Sequence, residues 1–153
     1  MHLPRGSTGF WMSHDDPLPV FDPKDFTRLG YAVAQTLGAR IVKRDIHSQF
    51  ARSYHVLIVQ TGQTAWSLLG HTVHPIIASV AGIVDPYVDQ RPFCDLPGLA
   101  ALAVSFGVTS YPPTMLNHRV EEAWLSNLAP VEVREIRVWK PQRMGDILFN
   151  YWD

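Results

Sequence analysis

Apolar and polar residues change their spacing several times along this chain, and each spacing predicts a different kind of element. Between Pro23 and Leu37 the apolar residues recur every three or four positions, which places one apolar stripe along a helix. Asp22 precedes the first-turn proline and Gly38 follows the last apolar residue, so a capping carboxylate and a terminal glycine bound this segment. The pattern predicts a helix over residues 23–37.

Segments rich in β-branched residues follow this helix and predict successive strands. They cover residues 40–44, 53–60, 64–70 and 73–81. The segment 64–70 also has the composition of a short helix, but its position between two strand-like runs favours a hairpin partner. Together these segments predict an antiparallel meander.

The second half of the chain is predicted to be mainly helical after a long loop over residues 82–98. The predicted elements are a helix over residues 96–106 capped by Asp95, a helix over 114–128, an alternating strand over 131–139 and a short helix over 143–153. This order predicts the α+β class, with a mainly antiparallel sheet and helices packed on one face. A single domain is expected over residues 1–153, with residues 1–22 as an irregular arm on the body.

Composition narrows the classes of partner and the cellular compartment. A content of 46% apolar and 18% charged residues is typical of a globular protein, and no apolar run is long enough for a membrane span. The net charge is -1 and the basic residues are scattered, which disfavours nucleic acid. Cys94 is the single cysteine, and residues 1–11 lack the pattern of a signal peptide. A cytoplasmic protein without a nucleic-acid or membrane partner is expected.

His71 and His74 are the candidate metal ligands, since two imidazoles three residues apart can share a helix face. The segment is predicted to be a strand, however, and a strand sends residues at that spacing to opposite faces. A third ligand would have to come from Asp85, Asp89 or His118, none of which lies in a zinc motif. We therefore expect structural histidines and no cofactor, with a metal-dependent hydrolase as the alternative.

Cys94 offers a second route to an enzyme, because a thiol near a helix start can be activated by a histidine such as His118. The local sequence FCDLPG matches no cysteine-protease signature. A lone cysteine more commonly packs as a small apolar residue. A Cys/His hydrolase is kept only as the alternative to a protein without enzymatic activity.

Acidic and aromatic residues in the long loop and at the chain end are the candidate protein contacts. Tryptophan, tyrosine and arginine dominate the energetics of protein interfaces, although a solvated loop and aromatic side chains docked on the core are the competing explanations. The candidate binding residues are Asp85, Tyr87, Asp89, Arg91, Asp95, Tyr151, Trp152 and Asp153.

The two chain ends carry a resemblance. LPRGSTGFW at residues 3–11 and WKPQRMGDILFNYWD at residues 139–153 resemble the ends of a group of small bacterial proteins of unassigned function. That group is similar, in size and in lacking a catalytic motif, to the immunity proteins of polymorphic toxin systems. The resemblance implies a cytosolic single domain that binds a toxin domain and blocks its active site. Asp15, Asp16 and the acidic loop would then be contacts, although a near-neutral charge gives little long-range steering.

Protein binding without catalysis is the function that we expect from these observations. A module that binds a small ligand in a pocket between helix and sheet is a further alternative. An exposed strand edge and a free cysteine also leave a homodimer open.

Overall fold

The first helix and the meander form as predicted. The computed structural model describes residues 1–12, 16–46, 52–85 and 91–152. Helix α1 covers Pro23–Leu37, Asp22 accepts a hydrogen bond from the Lys24 backbone, and Gly38 adopts the left-handed conformation at φ 61°. Because such a conformation is strained for residues with a Cβ, glycine suits this helix end.

Five strands form one sheet in the order β1-β2-β3-β4-β5. The first four are antiparallel neighbours, which confirms the meander, whereas β5 pairs with β4 in parallel. The sequence patterns did not indicate β5. The strands are β1 (Arg40–Asp45), β2 (Tyr54–Thr61), β3 (Thr64–His71), β4 (Ile76–Ala81) and β5 (Thr109–Ser110).

Four shorter helices complete the described part of the chain. None of the helices within the described ranges is long and apolar enough to cross a membrane. The helices are α2 (Leu99–Ser105), α3 (Pro113–Leu116), α4 (Pro130–Trp139) and α5 (Met144–Leu148), with a 3-10 helix over Glu122–Leu125.

The strand predicted over residues 131–139 is wrong, because this segment is helix α4. Its alternation of β-branched and charged residues is typical of a strand, but Pro130 occupies the first turn. Glu132 also reaches back to accept a hydrogen bond from the Ala129 backbone at 2.9 Å. Both features favour a helix start, and β-branched residues lower helix propensity by only about 0.5 kcal/mol each.

The two helix predictions after the long loop are also wrong in their extent. Asn117 exchanges hydrogen bonds of 2.9 and 2.8 Å with the backbone of Phe93, which fixes the chain where the predicted helix over 114–128 would continue. Helix α2 begins only at Leu99, since Gly98 before it is left-handed at φ 82°, so Asp95 does not cap it. The predicted helix over 143–153 is correct only for Met144–Leu148.

Helices cover both faces of the sheet, which corrects the prediction of one covered face while leaving the α+β class confirmed. Strand β2 is buried from Tyr54 to Val59, and its successive residues contribute to two different cores. Val56 packs with α4 and α5, whereas Leu57 packs with α1 and α2. A strand buried on both faces is a continuous apolar run, and VLIV in β2 is such a run.

Contact between α1 and the sheet depends on Gly70 of β3, and it gives the first prediction. A Cβ added at Gly70 would clash with the ring of Phe26, whose side chain is fully buried. We expect Gly70→Ala to lower the free energy of unfolding by about 2 kcal/mol, because overpacking forces side chains off their rotamers. Urea unfolding of the variant measures this loss.

Phe26→Leu provides the control in a double-mutant cycle. The smaller side chain makes room for the methyl group, so Gly70→Ala is expected to cost less in the Phe26→Leu background than in the wild type. Equal costs in the two backgrounds would contradict the close contact.

Candidate binding site where the chain ends meet

Residues 4–9 form the N-terminal loop, and a buried carboxylate holds its backbone N–H groups. The side chain of Glu132 on α4 accepts hydrogen bonds from the Gly6 and Thr8 backbone at 3.0 Å. It also accepts from the Thr8 hydroxyl at 2.7 Å, besides the Ala129 backbone. Glu132 has no exposed surface. Its carboxylate therefore serves as a common acceptor that joins the loop to the start of α4.

Side chains at or just after the end of β3, and one just after α5, form hydrogen bonds with the carbonyl groups of the loop. Nε2 of His71 lies 2.8 Å from the Ser7 carbonyl, and Nε2 of His74 lies 2.6 Å from the carbonyl of Arg5. Nδ2 of Asn150 donates to the Thr8 carbonyl at 2.9 Å. The loop is thus fixed through both its donors and its acceptors, which sets the position of the residues that follow it.

His71 is a structural histidine in this arrangement. Its Nδ1 accepts hydrogen bonds from the backbone N–H groups of Val73 and His74, so the proton resides on Nε2 and is donated to Ser7. Burial is the main cause that lowers the pKa of His71 to about 4, with the charges of His74 and His55 adding to it. Because both ring nitrogens already take part in these hydrogen bonds, His71 is disfavoured as a metal ligand.

The predicted separation of His71 and His74 onto opposite faces is wrong. Strand β3 ends at His71, and the turn after it brings the two rings into a stack with centroids 6.0 Å apart. Within the described ranges, no three histidine, cysteine or acidic side chains lie close enough together to hold a metal ion.

An aromatic patch lies beside the N-terminal loop, and we define it by Phe10, Trp139 and Trp152. The rings of Trp139 and Trp152 are nearly parallel, at 4°, with centroids 6.2 Å apart. Phe10 lies 6.2 Å from Trp152 on the loop side. Trp152 is buried, whereas Trp139 is 42% exposed and the adjacent Val138 is 66% exposed. Residues from both segments at the chain ends and from α4 thus form one partly exposed aromatic surface.

A cavity of about 440 Å³ also borders the N-terminal loop. Thr8 and Asn150 belong to its wall, together with apolar residues of the segment before α1 and buried side chains at the start of β2. Most of its wall comes from the arm over residues 1–22 and from the sheet, and Pro23 is the only described helix residue that borders it, so it differs from the pocket between helix and sheet of the ligand-binding alternative.

The predicted acidic contacts are only partly within the described residues. Asp85, Arg91 and Asp95 are exposed, and Arg91 donates to the Ala81 carbonyl at 3.1 Å. Asp16 is exposed as well, and its carbonyl accepts from the indole of Trp11. Tyr87, Asp89, Asp15 and Asp153 lie outside the described residues.

The predicted aromatic contacts at the chain end differ in accessibility. Tyr151 is half-buried, and Trp152 is buried at 8% exposure. Trp152 therefore docks on the core, where it supports Trp139. The predicted binding residues did not include Trp139.

Cys94 and His118 lie in different surroundings. Cys94 is half-buried beside a cavity of about 360 Å³ that also borders Asp95, and burial raises the pKa of its thiol. His118 is exposed, and its ring packs 5.4 Å from that of Trp124. A raised thiol pKa is opposite to that of an activated nucleophile, which disfavours the cysteine hydrolase.

Sequence reasoning missed Glu132, which organises the whole region. Its signal was present, since a first-turn proline followed two residues later by glutamate is a helix-start pattern. The prediction of a strand over residues 131–139 gave this glutamate no such role. Nothing local to the loop sequence indicates that its N–H groups meet a carboxylate more than a hundred residues away.

Comparisons of the chain with protein-family models, with curated proteins and with solved structures found no match.

Proposed function

We propose that this protein acts by binding another protein through the aromatic patch, without catalysing a reaction. The observation that carries the proposal is the exposed Trp139, stacked on a buried Trp152 and backed by Phe10. Large aromatic side chains held rigidly at a surface are the usual anchors of protein interfaces, because they bury much apolar area at a small cost in entropy.

The region is preorganised for such a role. Glu132 and the two histidines fix the N-terminal loop, and the loop in turn places Phe10 against Trp152. A fixed surface loses little conformational freedom on binding, which favours affinity.

Charged residues beside the patch suggest the chemistry of the partner. Arg137 and Lys140 are exposed next to Val138 and Trp139, at the end of α4. A partner surface with an apolar centre and acidic residues at its rim would complement this arrangement. A toxin domain is the candidate that the resemblance of residues 3–11 and 139–153 suggests, and these two segments supply the patch.

Affinity capture with the full chain tests the proposal. Wild-type protein is immobilised and exposed to a lysate of the organism that encodes it and to the purified products of adjacent genes. We expect one protein to bind at a defined stoichiometry by native mass spectrometry. Trp139→Ala is expected to weaken this complex roughly thirtyfold, as for a central interface tryptophan.

Tyr31→Ala is the matched control, because Tyr31 is an exposed aromatic residue on α1, against the opposite face of the sheet. This variant should retain the partner with unchanged affinity. Equal binding by the wild type and Trp139→Ala, or capture of no stoichiometric partner, would overturn the proposal.

A further inference from the structure

We infer that the cavity beside the N-terminal loop is a binding site for a small amphiphilic acid that also carries an N–H or O–H donor. The cavity has a volume of about 440 Å³, within the range of small-molecule sites. It does not include the aromatic patch, so this inference stands independently of the protein partner proposed above.

Asn150 supplies the first observation that points to a ligand. The side chain is 5% exposed and borders the cavity. Its Nδ2 donates to the carbonyls of Thr8 and Ile147, both at 2.9 Å, which fixes the orientation of the amide. Within the described part of the chain Oδ1 accepts no hydrogen bond. A buried acceptor without a donor is costly, so a donor from a bound molecule would be stabilising here.

Arg52 supplies N–H donors for the acid group, beside its ion pair with Asp45 at 2.9 Å. Its side chain is 4% exposed and also borders the cavity. Three of its N–H groups donate to the Tyr54 carbonyl and to the carboxylate and carbonyl of Asp45. A guanidinium has five N–H groups, which leaves two for a ligand oxygen.

The segments that carry the two polar groups are joined by hydrogen bonds. Ser53, the residue after Arg52, donates its backbone N–H to the Asn150 carbonyl at 3.1 Å. Its hydroxyl accepts from the Asn150 backbone at 2.9 Å. Because both side chains border one cavity, a ligand bound there can use the acceptor of Asn150 and the donors of Arg52.

Apolar side chains form the rest of the wall. Trp11, Leu18, Phe21 and Val73 border the cavity, and the last two are buried. These residues favour an aromatic or branched aliphatic body on the ligand. The class is thus a carboxylic or sulfonic acid with an apolar body and a nearby amide, amine or hydroxyl donor.

Fluorescence of 8-anilinonaphthalene-1-sulfonate tests the site, since this dye combines a sulfonate, an N–H group and an apolar body. We expect saturable binding of one dye by the wild type and displacement by N-acetylphenylalanine. Its N-methyl derivative, in which a methyl group replaces the N–H hydrogen, should displace the dye roughly tenfold less well, and so should its neutral primary amide. Equal displacement by all three compounds, or no saturable binding, would overturn the inference.

Two variants locate the dye. Thr72 borders the cavity and is half-buried, so Thr72→Trp should fill the space and abolish binding. Thr64→Trp, at the exposed far end of β3, should bind as the wild type does. Loss of binding in both variants, or in neither, would place the dye elsewhere and contradict the assignment. The ligand comparisons use unchanged protein, so they remain decisive if Thr72→Trp does not fold.

Discussion

Glu132→Ala is expected to lower the free energy of unfolding by about 3–5 kcal/mol, a large share of the stability of a domain of this size. The carboxylate is fully buried and accepts from the backbone of Gly6, Thr8 and Ala129 and from the Thr8 hydroxyl. An alanine leaves these donors buried without an acceptor, and each such group costs about 1–3 kcal/mol unless water reaches it. Urea unfolding followed by tryptophan fluorescence measures the loss.

Two further variants make this result specific. Glu135→Ala changes the same residue type on the same helix, where the carboxylate makes one hydrogen bond of 3.3 Å to Trp139, and is expected to cost less than about 1 kcal/mol. Glu132→Gln keeps one acceptor oxygen but sets an amide NH₂ group against donors, so an intermediate loss is expected. A free energy of unfolding of Glu132→Ala within about 1 kcal/mol of the wild-type value would show that the loop does not depend on this carboxylate.

Acid is expected to destabilise the protein through His71 in the window from pH 6.5 down to about 4, where its folded-state pKa lies. Burial of the neutral ring lowers that pKa, so the unfolded chain takes up a proton in this window and the folded protein does not. Stability falls as the pH decreases, by roughly 1.4 kcal/mol per pH unit and about 3 kcal/mol in total. Above pH 6.5 the ring is neutral in both states and contributes no pH dependence.

Comparison with His71→Gln isolates this contribution from that of the other groups that titrate in the same window. The stability difference between wild type and variant, measured by urea unfolding at several pH values, should shift against the wild type as the pH falls. Parallel pH profiles for wild type and His71→Gln would contradict a neutral buried His71.

The part of the fold that sequence predicted well is the part governed by local signals. Asp22, Pro23 and Gly38 bound α1 with side-chain chemistry that acts within one turn, and the run from Arg40 to Ala81 alternates strands with short connections. In the second half of the chain, contacts between residues distant in sequence determine where the helices end. Asn117 is held by the backbone of Phe93, which ends a helix that apolar periodicity alone would extend.

The candidate site was predictable only in part, for a related reason. The chain ends drew attention because they are aromatic, and Trp152 does take part in the patch, although it is buried. Trp139 lies in the segment predicted as a strand, because the alternation in VEVREIRVW was given more weight than the helix-start pattern of Pro130 and Glu132. Asn150 and Arg52 gave no signal because their roles arise only when the loop folds against the sheet.

The N-terminal loop has a consequence for synthesis on the ribosome. Its hydrogen-bond partners Glu132 and Asn150 lie 126 and 142 residues further along the chain than Gly6 and Thr8. Synthesis runs from N- to C-terminus, so residues 6–8 can dock only after Glu132 and Asn150 have left the ribosome. Sheet and α1 can assemble earlier through contacts nearer in sequence. Docking of the loop is therefore expected to follow assembly of the sheet, and the aromatic patch and the cavity wall then form together.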